Sequence, residues 1–181
     1  MSRRPRFVSS NPGKVREVEA ILGLPVEQLD LDLSEIQALD VAVVAREKAL
    51  AAYAATGQTV FVEDTGLYLE ALNGLPGALV RWFLATIGPR GVCDLIPAGV
   101  ERTATARTAV AICDGTSVEV LIGETVGTIA FEPRGDGGFG WDAIFQPDGA
   151  GKTFAEMTQP ERDRYSMRRK AIEQLRGRLI P

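Results

Sequence analysis

A chain of 181 residues, 45% apolar and 24% charged, can bury one sizeable core and matches a single globular domain over 1–181. A formal net charge of −4 argues against general nucleic-acid binding. The complete lack of histidine excludes imidazole zinc sites and Ser–His or Cys–His triads. Acid–base work must then fall to carboxylates, lysine, tyrosine or metal-bound water, and any metal site must be built from oxygens, which favours a hard ion.

RFVSS (6–10) reads as a strand running into a helix, with Asn11 at the N-cap and Pro12 at the first helical position. Val15, Val18, Ile21 and Leu22 recur at helical spacing. Lys14 lies in the first turn, where the macrodipole disfavours a cation, so its removal is expected to favour the isolated helix slightly. VEQLDLDL (26–33) alternates as a strand, and EQLDLDLSEIQALD (27–40) carries five acids and no base. Alanine-rich 41–56 is a helix ended by Gly57, and TVFVED (59–64) is the strongest buried strand.

Residues 76–88 have proline at a helix start and glycine at its end. Strands over 103–113 and 117–132 are joined by an Asp114-Gly115-Thr116 turn. DAIFQ (142–146) is a short strand after a glycine-rich loop. Thr158 and Glu161 have capping-box spacing, opening a last helix to about residue 178. Helices interleaved with strands and one long hairpin give an α/β fold with a mixed central sheet flanked by helices. No apolar run approaches the roughly 20 residues of a membrane span, and MSRRPRFVSS lacks an apolar signal region, so a cytoplasmic chain without membrane contact is expected. Cys93 and Cys113 fit no metal spacing and no disulfide framework.

Four stretches carry chemistry. SSNPGK, at a strand-to-helix junction, combines helix N-terminal N–H groups with Lys14 and suits a phosphate; the alternative is an ordinary turn with a solvent-facing lysine. In VEDTG (62–66) neighbouring side chains point to opposite faces, so Glu63 and Asp64 are not expected to share a site, and Asp-Thr-Gly is itself a turn signal. GDGGFGWDAIF (135–145), with four glycines in its first six residues, presents Phe139, Trp141 and Asp142, a set that suits a purine face and edge or two core aromatics. Residues 161–178 hold seven bases against three acids, a solvated helix face unless the helix abuts the glycine loop, in which case Ser166 and Arg168 become pocket residues.

Together, SSNPGKVREVEAIL, SEIQ, VEDTGLYLEALNGLPGALVRWFL, FGWDAIFQPDGAGKTFAEM and ERDRYSMRRKAIEQL resemble the inosine triphosphate pyrophosphatase family in order and spacing, on its archaeal and eukaryotic side. The resemblance implies a homodimer with two lobes around an active-site cleft. It also implies a magnesium cofactor, with manganese as a substitute, and cleavage of ITP, dITP and XTP to monophosphate and pyrophosphate. On it, Ser9, Ser10, Asn11, Pro12, Gly13, Lys14 and Lys48 hold the triphosphate, and Glu35 and Asp64 hold the metal. Asp64 activates water, with Lys14 and Lys48 as further catalytic groups, and Thr65 and Arg81 contact ligand. Phe139, Gly140, Trp141 and Asp142 clamp the base, with Arg162, Met167 and Arg168 completing the pocket.

Two positions depart from the family pattern: Met167 stands where histidine is usual, and Arg162 where lysine is usual. Met167 offers no imidazole hydrogen bond, so looser base discrimination is expected. A Maf-like pyrophosphatase of modified pyrimidine nucleotides and a nucleotide-binding module without catalysis are the competing readings.

Overall fold

The computed structural model describes residues 4–179. Strand β1 (Arg6–Val8) leads into helix α1 (Pro12–Leu22), and β2 (Glu27–Leu29) returns beside β1 in parallel. Helix α2 (Val41–Thr56) precedes the long β3 (Val60–Leu69), which is followed by the two-residue β4 (Pro76–Gly77) and helix α3 (Val80–Asp94). The hairpin β5 (Thr103–Cys113) and β6 (Val118–Ile129) follows, then β7 (Phe145–Pro147), α4 (Gln159–Tyr165) and α5 (Met167–Leu179). The seven strands form one mixed sheet ordered β2-β1-β3-β5-β6-β7, with β4 added to β3.

The sheet carries helices on both faces. Phe61, Val110 and Leu121 bury one face under α1 and α5, through Val18, Ile21, Ile172 and Leu175. Val60, Val62, Ala109 and Ala111 bury the other under α2, whose Ala45, Ala49 and Ala52 are small enough to let it lie close. A third cluster forms beyond the end of β1, where Leu67, Leu69 and Ile129 meet Val92, Ile144, Phe145 and Phe154. Arg102 ties this region together by donating to the carbonyls of Cys93, Ile96, Ile129 and Ala130.

The caps match their sequence signals. Asn11 Oδ1 accepts the N–H groups of Gly13 and Lys14, Gly57 ends its helix with positive φ, and Thr158 and Glu161 form a reciprocal box. Several boundaries move. The expected strand 26–33 contracts to β2, because β1 offers it only three partners. The expected strand 59–64 runs on to Leu69, since β5 pairs with it from Val60↔Cys113 to Leu69↔Ala104 and overrides the Asp-Thr-Gly turn preference.

The helix expected from residue 76 starts at Val80, because Pro76 and Gly77 pair with β3, and it continues past a non-helical Gly88 to Asp94. The short strand expected at 142–146 is Phe145–Pro147. The expected last helix is broken at Ser166, whose Oγ accepts the N–H of Arg169 and caps a new helix.

Candidate active site

The site begins as a gap in the sheet. Strand β1 accompanies β3 only to Val8↔Val62, and β4 resumes on that edge at Leu67↔Gly77. From Glu63 to Gly66, β3 has β5 on one side and, among the described residues, no strand on the other. A cavity of about 600 Å³ opens there. Because the edge is uncovered, side chains from both faces reach it: Glu63, Asp64 and Thr65 all line it. The expected separation of Glu63 from Asp64 by strand alternation therefore fails at this point.

Glu63 is the electrostatic centre of one wall. It is buried and takes a two-point ion pair from Arg168, Nε to Oε2 at 2.7 Å and Nη2 to Oε1 at 3.0 Å. Lys14 Nζ sits 3.3 Å from the same Oε1, and the second face of the Arg168 guanidinium binds Glu17. Burial pushes the Glu63 carboxyl up, but Arg168 and Lys14 outweigh it and hold the pKa at about 2. Arg168 is held above its usual range by the same pairs, against burial. The buried carboxylate gives the Lys14 ammonium a partner in the first turn, where the macrodipole alone would disfavour it.

Asp64 behaves oppositely. Burial raises its carboxyl, and Lys14 and Lys48 only partly offset that burial and the repulsion of Glu35 and Glu63, leaving the pKa at about 6. Its Oδ2 is buried with no hydrogen-bond partner among the described residues. Glu35, which also lines the cavity, is paired with Lys48 at 2.7 Å. Among the described residues no cluster of three or more His, Cys, Asp or Glu side chains forms a cage. An orphaned carboxylate oxygen with Glu35 and Glu63 as neighbouring acids nevertheless suits a hard divalent ion.

The N-terminus of α1 contributes less backbone than expected. Asn11 Oδ1 takes two of its N–H groups, Ser9 Oγ accepts the N–H of Asn11, and Pro12 has none to give. Ser9, Ser10, Asn11 and Lys14 line the cavity, whereas Pro12 and Gly13 do not.

The opposite wall comes from α3, the glycine loop and α4–α5. Phe139 is 56% exposed at the cavity, but Trp141 is 7% exposed, edge-on to Phe145 and close to Phe154. Of the two expected aromatics, Phe139 has a free face and Trp141 is chiefly core. Asp142 accepts the N–H of Phe139 at 2.9 Å and pairs with Arg162 at 2.8 Å. Burial raises its carboxyl, with Arg162 opposing. Gly140, Arg81 and Met167 also line the cavity, Met167 as a buried part of the apolar cluster. Glu17, Trp82 and Phe154 also line the cavity without having been expected there, and Glu63, expected apart from Asp64, lines it too. The i, i+3 spacing of Lys14 and Glu17 was the available signal for Glu17.

The fold and cleft define an α/β protein whose cavity is lined by lysines and carboxylates together with aromatic and arginine side chains, a lining that suits an anionic, ring-bearing ligand. More specifically, the chain belongs to the Ham1 family, whose model matches residues 6–178. It is 46% identical to a dITP/XTP pyrophosphatase of Pyrobaculum aerophilum, over 95% of this chain and 94% of that protein. It is 45% identical to inosine triphosphate pyrophosphatase 1 of Trypanosoma cruzi, over 94% and 89%. Among solved structures, a HAM1 protein from Coxiella burnetii superposes with a TM-score of 0.85 at 27% identity, covering 97% of this chain and 98% of that one. A dITP/XTP pyrophosphatase from Mycobacterium abscessus gives 0.78 at 28%, covering 94% and 98%.

Proposed function

We propose that the protein hydrolyses deaminated purine nucleoside triphosphates (ITP, dITP and XTP) to the monophosphate and pyrophosphate, clearing them from the nucleotide pool. The observation that carries this reading is the orphaned Asp64 Oδ2 beside two lysines, in one cavity with an exposed aromatic ring. The names of the similar pyrophosphatases support it.

In this reading Ser9, Ser10, Lys14 and Lys48 hold the triphosphate, with Arg81 at the cavity edge. Asp64, ionised above about pH 6, accepts a proton from the attacking water. Glu35 and Asp64 would hold a divalent cation, magnesium or in its place manganese, which supplies charge neutralisation at the phosphates. Lys48 then exchanges Glu35 for a phosphate oxygen.

Phe139 stacks on the base. Arg168 spends three of its five N–H groups on carboxylates, leaving one hydrogen on each terminal nitrogen for the purine O6. An amino group at that position would leave the donors unpaired, which disfavours adenine. Met167 adds apolar contact without a hydrogen bond, and discrimination among bases is correspondingly loose.

The chain works as one domain and as a homodimer in the cytoplasm, with no nucleic-acid or membrane partner. Among the described residues no helix is long and apolar enough to cross a membrane. Pyrophosphate release with magnesium, over ITP, XTP, GTP, ATP, dTTP and 5-methyl-UTP, tests the activity. Release from ITP and XTP is expected, and release only from 5-methyl-UTP or from none overturns the reading. Strong preference for ITP and XTP over GTP and ATP removes the looseness assigned to Met167. Light scattering of the purified chain tests the dimer.

A further inference from the structure

Thr108, in the middle of β5, is completely buried, and among the described residues its hydroxyl has one partner, Thr65 Oγ1 at 3.0 Å. The two residues face each other across the β3–β5 ladder. Thr65 Oγ1 also donates to Glu63 Oε1 at 3.0 Å, two residues back on the same face of β3. A hydroxyl carries one hydrogen, and an ionised carboxylate only accepts. Thr65 therefore spends its hydrogen on Glu63, and the hydrogen between the threonines belongs to Thr108. The direction of the chain is fixed: Thr108 donates to Thr65, which donates to Glu63.

Its end point is the oxygen that also receives Arg168 Nη2 and lies 3.3 Å from Lys14 Nζ. Rotation of the Glu63 carboxylate would break the two-point Arg168 pair and release Lys14, and the relay opposes that rotation. We propose that Thr108 is a positioning residue for nucleotide binding: acting through Thr65, it holds Glu63, and with it the Lys14 ammonium and Arg168 guanidinium, in register with the ligand. Thr65, with its hydrogen committed, then serves the ligand through Glu63 rather than by donating to a phosphate. This inference rests on the reading of Lys14 and Arg168 as nucleotide-binding groups.

Steady-state kinetics with ITP on Thr108→Val, Thr108→Ser, Thr65→Val and the Thr65→Val/Thr108→Val double variant test it. Loss of the buried donor is expected to raise KM about 3- to 10-fold with kcat within about twofold, as for an interaction made equally in ground and transition states. Serine at 108 restores the wild-type KM, because it keeps the hydroxyl. The double variant is no worse than Thr65→Val alone, because Thr108 acts only through Thr65. An unchanged KM in Thr108→Val, failure of serine to rescue, or effects that multiply in the double variant each overturn the relay. If Thr108→Val does not fold, Thr65→Val carries the test by the same KM rise, and an unchanged KM there overturns it. Wild-type protein that releases no pyrophosphate from ITP overturns the functional reading instead.

Discussion

Arg168 and Glu63 lie 105 residues apart and meet as a two-point ion pair at 2.7 and 3.0 Å, with side chains only 6% and 1% exposed. The pair joins the start of α5 to the middle of β3, so the C-terminal helix is tied to the site by charge as well as by packing.

Replacing Glu63 by glutamine leaves a buried guanidinium with Glu17 as its remaining carboxylate. The expected loss of stability is about 3 kcal/mol, measured by urea denaturation at neutral pH. The Glu63 pKa is lowered from 4.5 to about 2, so its contribution is present above about pH 4.5 and is lost as pH falls towards 2. The glutamine variant should lack this part of the acid limb of the melting curve, and an unchanged limb would show that the pair contributes nothing.

Asp64→Asn should show the opposite balance. The Asp64 carboxyl is raised from 3.8 to about 6, so the free protein loses stability as pH rises through that window. The asparagine variant is expected to gain on the order of 1–3 kcal/mol at pH 8, and little below about pH 4. Turnover should disappear. Melting temperatures across pH, paired with pyrophosphate release, check both halves.

Lys14→Ala should lower kcat/KM by about 100-fold or more, as for loss of a full charge facing the phosphates. The macrodipole alone implies a small gain in helix stability. Lys14 lies against buried Glu63, so a lower melting temperature is expected instead. A raised one would show that the macrodipole outweighs the pair.

The two aromatic residues at the cavity should separate cleanly. Phe139→Ala is expected to raise KM about tenfold through lost stacking and to leave the melting temperature unchanged. Trp141→Ala, at a buried position against Phe145 and Phe154, should cost about 3–5 kcal/mol of stability. Equal effects on KM and stability in both variants would erase the distinction between stacking face and core.

The parts of the molecule that follow from local patterning were readable from the residues. Asn11, Gly57 and the Thr158–Glu161 box mark their helix ends because caps act within a turn of chain. The helical spacing of Val15, Val18, Ile21 and Leu22 marks the buried face of α1. What escaped is set by distant partners. Glu63 looks like one of two adjacent acids until Arg168 and Lys14 arrive from other elements. Asp64-Thr65-Gly66 reads as a turn until β5 pairs across it. The place of Trp141 in the core depends on Phe145 and Phe154, which no periodicity in the loop announces.

The uncovered edge from Glu63 to Gly66 has a consequence for solubility. A free strand edge is the usual template on which another chain can add and propagate a sheet. Here the opening is bounded by β1, which stops at Val8, and by β4, which resumes at Gly77, so an incoming strand meets occupied backbone at both ends. The same few residues also present charged side chains at the opening. The protein can thus leave a hole in its sheet for chemistry without offering that hole as a seam for self-association.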